Sequence, residues 1–594
     1  MADAILGPNI IIGIQLNKDI MGNSGKQQLL AFLLIMVVLF LTPKYMEYIA
    51  PPQEEEAPET ILEGETNYDY VESEIGQKEK ENPKIIDEIH SVDEVVFSVE
   101  SPLYIAEVSN AGGGTLKSLT LKNYLSGFNE DGVFVEDDFV SILMPDENQC
   151  SPCLSLRSNS NNEAKFFDSP FSTDIQNGEN FVLNEGDSHT FYFNFVDSNG
   201  NEISKSFTMY GDYYHFDYEI NTTSVEEGSF TREVAWTKSL RPTEKNKDYD
   251  VTESGAVIWQ VDEHEDIAQT SPNKIYLETL DGRTDWAAIK SKYFIASIIP
   301  DNKGIYGSFE ADNQLFANRE ITPGYKVYIG HNSNDKVLSG KVYLGPQDVI
   351  EMRKTGSNLE EAINWGWSFI RPISKFILKL LKYLHNPFSG LTINYGIVLI
   401  LFAFIIRIFT GPLTKKATVS NQKIQQLQPQ IKKLQAKFKD DPMKLNQETM
   451  ALWRKHNVNP LGGCLPIIIQ MPLLFALFVT FRTTIEFRGE PFFLWISDLS
   501  QPDIIFNLPF HIPIYGAHIA ILPLLMGITM FFQQKFTSAS MDSSQKPLMY
   551  IMTGFFFLIF NSFPSGLNLY YATSNVLNII QQWNLKKTTT LSTS

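Results

Sequence analysis

The stretch Asn394–Lys416, "NYGIVLILFAFIIRIFTGPLTKK", decides the fold. As far as Phe409 it reads as a membrane span, yet one unpaired cation, Arg407, stands inside the apolar run. A charged side chain deep in a bilayer costs roughly 2.5–3.5 kcal/mol on insertion scales. Two explanations are open from these residues alone. Arg407 snorkels toward inner headgroups beside Lys415, or it lines a hydrated groove shared with other spans.

Outward from this stretch the apolar runs fall late in the chain: Pro466–Phe481, Ile519–Phe532, Pro547–Phe563 and Leu567–Trp583. One more, Leu29–Leu41, lies early between Lys26 and Lys44. Tyr48 and Ala50 make a poor small-x-small cleavage site, so an uncleaved signal anchor is expected there. Six spans follow, over 29–43, 391–409, 463–481, 518–533, 547–563 and 567–584. Their shortness suits a thin membrane or polar extensions at their ends.

Lysine and arginine near the ends set the orientation. Thr414–Pro460 holds ten Lys/Arg against three Asp/Glu and should be cytoplasmic. Counting spans from it puts the tail 1–28 (with Met21 a second candidate start), the loop 534–546 and the tail 585–594 on the same side. The outer side then receives 44–390 and the loop 482–517. Charge agrees with this division. The chain's net charge is -21, but residues 44–363 carry 59 acidic and 25 basic residues, leaving 10 acidic and 23 basic elsewhere. Blocks of opposite sign behave like parts facing different compartments.

Within the outer region, 44–90 is acidic and short of large apolar residues, so it reads as a disordered linker. From 91 to 362 short alternating runs such as "HTFYFNFVDSNG" are punctuated by turn residues, the pattern of a large antiparallel β-sandwich. Glycines 112–114 in "AGGGTLKSLTLKNY" suit a tight turn or bulge. The segment 363–387 contains "SFIRPISKFILKLLKYLHN", in which Arg371, Lys375, Lys379 and Lys382 share one arc and Phe369, Ile373, Phe376, Ile377, Leu380 and Leu384 fill the opposite face. Such a helix suits the bilayer interface, or packs on its own domain. Cys150 and Cys153 can close a small disulfide outside the membrane. No metal-ligand spacing, nucleophile–base set or phosphate-binding loop is visible, so no cofactor, metal or catalytic residue is expected.

The cytoplasmic segment 410–462 reads as a basic helical hairpin. Ile424, Leu427, Ile431, Leu434 and Phe438 form a coiled-coil-like seam, and Pro429 should kink or restart the helix. Asp441 and Pro442 supply an N-cap and a first helical residue for a second helix carrying Leu445, Leu452 and Trp453. Basic residues there suit anionic lipid or an anionic partner such as ribosomal RNA or an acidic nascent chain. Polar groups also collect inside the spans: Gln470, Gln533, Gln534, and Asn568, Thr573, Ser574, Asn575 and Asn578 in the last one. They favour a hydrated groove open to the cytoplasm. Carboxylates that could pair with Arg407 are missing from the late spans, unlike a typical ion-coupled transporter.

Five quoted stretches now carry a resemblance: the opening one, "LQPQIKKLQAKFKDDPMKLNQETMALWRKHNVNPLGGCLPIIIQMPLLFALF", "FFLWISDLSQPD", "LPLLMGITMFFQQK" and "FPSGLNLYYATSN". Over about 390–584 they resemble the YidC family of membrane-protein insertases, and the outer region resembles the Gram-negative form. The resemblance implies a polytopic α-helical membrane protein with a five-helix insertase core and a periplasmic all-β supersandwich like that of sugar mutarotases, serving as a scaffold and not an enzyme. It implies residence in the bacterial inner membrane. It makes Arg407 the cation of a cytoplasm-open groove, with Gln470 and Tyr571 in the polar lining and Tyr570 and Trp495 at aromatic positions of the core. Implied partners are nascent membrane proteins, the ribosome, membrane lipids, the Sec translocon and the signal-recognition-particle receptor. One departure is the outer connection Asn507–His518, long beside the family pattern. The competing reading is a small-solute transporter with an extracytoplasmic sugar-binding-like domain.

Overall fold

The computed structural model describes residues 92–591 except for short internal stretches, among them 129–133, 145–149, 246–249, 269–274, 313–323, 457–464 and 538–545. The expected tail 1–28, signal anchor 29–43 and linker 44–90 lie outside the described residues. Two compact units emerge: one holds 92–395 with Pro472–Gln501, the other Gly396–Met471 with the chain from Pro502 onward.

The first unit is rich in strands. A five-stranded sheet runs in the order Phe134–Ser141, Thr115–Phe128, Tyr104–Ser109, Val96–Glu100, Asn180–Val182. A second sheet of thirteen strands extends from Ala164–Phe166 at one edge to Ser188–Val196 at the other. Alternation sets the faces. In Val96–Glu100 only Phe97 and Val99 are buried, whereas all seven residues of the central strand Phe294–Pro300 are buried. One contiguous core joins the two sheets, with Phe97, Val108, Phe193, Phe207, Trp236, Trp286 and Tyr343 among its members.

The glycine triplet works as a lid over a buried amine. Gly112, Gly113 and Gly114 all have positive φ, and a Cβ on Gly112 would meet Cys150 Cβ at 2.6 Å. The loop thus exposes carbonyls inward. Lys205 Nζ donates to Gly112 O at 2.9 Å and to Pro152 O at 2.7 Å. Burial pushes the Lys205 amine down to about 7. Cys150 and Cys153 beside it are joined as a disulfide, with Cα atoms 5.2 Å apart.

Behind the sandwich comes helix α1 (Val349–Arg353), capped by the Asp348 carboxylate, then α2 (Arg371–His385). Here the charge pattern has a different use from the one expected. Lys375 pairs with Glu361, and Lys382 bridges Asp348 at 3.1 Å and Glu486 at 2.6 Å. Three cations of the basic arc, Arg371, Lys375 and Lys382, therefore meet carboxylates of their own unit, while Lys379 stays exposed. Ser374, Ile377, Leu378 and Leu381 are buried, Leu378 within the sandwich core. Phe369, Phe376 and Tyr383 stay exposed. A second buried ion pair ties Pro472–Gln501 into the unit: Arg488 Nε lies 2.7 Å from Glu244 Oε1, both side chains 4% exposed. Arg488 also donates to Leu125 O and Thr243 O, while Gln501 donates to Glu244 Oε2.

The second unit is helical, apart from one hairpin. Helix α3 spans Tyr395–Lys437, 43 residues, with Pro412 and Pro429 inside it. Pro429 does not restart the helix. Each proline removes one hydrogen bond, at a cost of about 3 kcal/mol, but the flanking Lys, Gln, Ala and Leu residues are strong helix formers. Tertiary packing adds support: Leu427 and Ile431 are buried against Ile424, Leu452 and Trp453. Helix α4 (Pro442–Lys455) is capped by Asp441 Oδ1, which accepts from the Lys444 N–H at 3.0 Å.

Helix α5 covers Leu465–Thr483, α6 Ile521–Thr537, α7 Lys546–Phe560 and α8 Ser565–Leu591. Among the described residues, the segment Tyr395–Pro412 is long and apolar enough to cross a bilayer, with mean hydropathy 2.0, and Ile521–Gln534 is a shorter apolar helix. The fourth expected span, 518–533, begins too early: His518–Ala520 is strand, because Ile504–Ile512 and Gly516–Ala520 pair as an antiparallel hairpin in what was expected to be plain loop.

Breaking the Arg488–Glu244 pair leaves a buried charge uncompensated. Arg488→Ala should destabilise the sandwich unit by about 3–5 kcal/mol, read as a lower denaturant midpoint. Arg488→Met with Glu244→Leu should recover most of it. A wild-type midpoint for the single variant would show that the pair contributes nothing.

Lys205 supplies a pH signature. Its folded value lies near 7 and the ordinary amine near 10.5, so between these the unfolded chain binds more protons and stability rises with pH. From pH 7 to pH 9 the contribution is on the order of 2 kcal/mol. Denaturant midpoints of Lys205→Met should lack that rise. An identical pH slope in both proteins would contradict the assignment.

Candidate functional site

Arg407 is half-buried in α3. Exposed on that helix are Ile397, Leu401, Phe404 and Ile408, at spacings of four, three and four, and Phe409 beside them. Its opposite face buries Val398, Leu399, Phe402 and Ala403. Arg407 follows Ala403 by four residues, is half-buried, and lies on the flank between the exposed stripe and the buried face. It stands about 18 Å along the axis from Tyr395.

Its partner is an amide, not a carboxylate. Arg407 Nη2 donates to Gln581 Oε1 on α8. Gln581 Nε2 in turn donates to Gly411 O at 3.2 Å. Gly411 is one turn beyond Arg407, so one side chain grips α3 at two points. Arg407 Nε is buried and has no hydrogen-bond partner among the described residues. A half-buried guanidinium held by a neutral amide thus keeps its charge, with at least one N–H left without a partner among the described residues. Such a group suits transient binding of an anionic or polar segment.

The other candidate residues distribute unevenly. Tyr570 is 1% exposed and its ring lies 5.7 Å from that of Phe402, so it packs in the same α3–α8 contact as Arg407. Tyr571 turns the other way, 5.5 Å from the ring of Phe560 on α7. Gln470 is exposed on α5, and no hydrogen bond joins it to Arg407 among the described residues. Trp495 belongs to the strand-rich unit and is 37% exposed.

Gln581 was missed by the reading of the sequence. The signal was present: Asn568, Asn575, Asn578 and Gln581 fall within an arc of about 140° on α8 at 100° per residue. Asn568 Nδ2 donates to Phe560 O at 3.1 Å and Phe563 O at 3.2 Å, which ties the start of α8 to the end of α7. Asn575 Nδ2 donates to Thr529 Oγ1 on α6 at 3.4 Å, and Thr553 on α7 donates to Gln534 on α6. Polar side chains therefore face one another across α6, α7 and α8. Groups of three or more His, Cys, Asp or Glu able to hold a metal are absent among the described residues.

Comparison with known proteins gives this geometry a family. Residues 387–592 match the family model described as 60Kd inner membrane protein, and residues 97–380 match the YidC periplasmic domain. A membrane protein insertase YidC from Chloroherpeton thalassium is 32% identical over 95% of this chain and 96% of its own length. Its counterpart in Prosthecochloris aestuarii is 34% identical over 84% of this chain and 83% of its own. A crystal structure of an active YidC insertase with its first transmembrane domain resolved is similar at 17% identity, covering 82% of this chain and 94% of that one, with a TM-score of 0.34. Full-length similarity above 30% identity, with the strand-rich and the helical parts each matched by their own family model, has one consequence: the chain belongs to the YidC family of membrane protein insertases.

Proposed function

We propose that this insertase moves nascent transmembrane segments into the bacterial inner membrane through a hydrated, cytoplasm-open groove in which Arg407 is the essential cation. Six spans, with both termini inside and the strand-rich unit in the periplasm, follow from the charge pattern. A new span must carry its polar flank across hydrocarbon. A wet half-channel shortens that barrier, and Arg407 attracts acidic or polar groups in the flank. The apolar part of the client meanwhile slides along lipid-exposed faces such as Ile397–Leu401–Phe404–Ile408. Once the flank has emerged, the attraction ends and the client moves into lipid. No covalent step is required.

One observation carries this reading: the cation is held by the neutral Gln581, with Nε left over. A carboxylate partner would cancel the charge that the client must feel. The basic helices α3 and α4 are the proposed receiving platform for the ribosome and nascent chain. The Sec translocon and the signal-recognition-particle receptor are proposed as cooperating partners. Trp495 and Gln470 remain proposed contacts of the client path.

The test is insertion by reconstituted protein of a client series with graded flank charge. Arg407→Ala should lower insertion of clients with acidic flanks by about tenfold, equivalent to 1.4 kcal/mol, and leave uncharged flanks least affected. Arg407→Lys should keep most activity, and Arg407→Glu should fall below alanine. Equal performance of alanine and wild type across the series would sink the groove-charge mechanism.

Gln581 offers a separate check. Gln581→Glu places a carboxylate on the guanidinium and should reproduce the selective loss seen with Arg407→Ala. Gln581→Ala, which removes the grip but not the charge, should have a smaller effect. If Gln581→Glu keeps the wild-type preference for acidic flanks, the neutral partner is irrelevant.

A further inference from the structure

The hairpin of Ile504–Ile512 and Gly516–Ala520 has an unusual surface. All 17 residues from Ile504 to Ala520 lack Asp, Glu, Lys and Arg. Ile504, Ile505, Phe506 and Phe510 are nevertheless exposed, by 45%, 52%, 57% and 60%. Exposed side chains occur at both odd and even positions of the first strand, so neither of its faces rests on a core, while the second strand is half-buried. A two-stranded ribbon of this kind is at best marginally stable alone in water.

Its foot, by contrast, is firmly built. Asn561, fully buried at the end of α7, accepts from the Ala520 N–H at 3.2 Å and donates to Tyr515 O at 2.9 Å and His518 O at 2.8 Å. His518 Nε2 is 3.0 Å from Asn561 O. Asp503 Oδ2 accepts from the Ile521 and Leu522 N–H groups at 3.1 and 2.7 Å, capping α6 from the hairpin's own first turn. The second strand thus runs without a break into α6. An uncharged apolar ribbon is fixed in place at the outer end of an apolar helix.

We infer that this hairpin is an interfacial anchor that docks on the outer-leaflet headgroup–acyl boundary of the bilayer. The inference rests on the proposed reading of α6 as a span. Continuity with α6 sets the hairpin at membrane level, and absence of charged side chains spares it the cost of desolvating an ion there. Backbone limits its depth. Between Asn507↔His518 and Ile512↔Gly516, four residues of the first strand face one of the second, so Leu508–His511 bulge out of the ladder. Those peptide groups and the two open edges need water or headgroups as partners, which excludes the hydrocarbon centre. Phe506 and Phe510 offer exposed apolar rings that gain by leaving water at that boundary. A second copy of the chain is disfavoured as occupant, because Pro509 and the bulge interrupt the edge that another strand would pair with.

The test uses the full-length protein in phosphatidylcholine vesicles, with Cys464→Ser and an environment-sensitive fluorophore on single cysteines. Labels at Phe506→Cys and Phe510→Cys should give blue-shifted emission, quenched more by lipids brominated near the headgroup than near the chain end. Neither added salt nor anionic lipid should change the result. A label at Leu525→Cys, on the exposed face of α6, should be quenched by deep bromines, and one at Glu185→Cys in the strand-rich unit by neither. Water-like, unquenched emission at Phe506 and Phe510 beside a quenched Leu525 would overturn the anchor and leave the span intact. Loss of quenching at Leu525 too would overturn both. Cysteine-to-cysteine crosslinking of two copies through Phe510→Cys, without lipid quenching, would assign the surface to a dimer instead.

Discussion

A guanidinium inside an apolar helix pair is the constraint around which the helical unit is arranged. Arg407, half-buried on the flank of α3, is held at one nitrogen by Gln581, which also grips the Gly411 carbonyl one turn away. An amide can do this without neutralising the cation. The consequence is a polar seam, extended on α8 by Asn575 and Asn578, in a bundle whose outward faces are Ile, Leu and Phe. Charge on one side and grease on the other is the arrangement on which the proposed client path rests.

Outside the helical unit the same physics runs in reverse. There the charges are paired to hold parts together. Arg488 and Glu244 fasten the segment Pro472–Gln501 to the sandwich, and Lys382 joins α2 to both Asp348 and Glu486. Such pairs contribute position more than stability, because desolvation offsets most of their attraction. Two lysines of a row that looks designed for phosphate headgroups are thereby used internally, and α2 leaves Phe376, Lys379 and Tyr383 exposed.

Several features were legible from local pattern because local physics decides them. Alternating burial in Val96–Glu100 follows from the period of a strand. The Asp441 cap and the seam of Leu427 and Ile431 follow from helix-end chemistry and the 3.5-residue repeat. Arg407 announced itself because an isolated charge in an apolar run has few inexpensive explanations. The restart expected at Pro429 does not occur, since a proline's local cost is outweighed by helix formers and by packing on Leu452 and Trp453.

What the sequence determined by itself was the family, the division into an acidic strand-rich part and a basic apolar part, and the cation at the centre of the second. These rest on composition, periodicity and motif order, all of which are properties of neighbours along the chain. Only the tertiary structure decided the partners: Gln581 for Arg407, Glu361 for Lys375, Lys205 for the glycine triplet, and Asn561 for the foot of the hairpin. Arg407 and Gln581 are 174 residues apart. No helical or strand period links such pairs, because which polar groups meet is fixed by how the elements pack once each buried donor must find an acceptor.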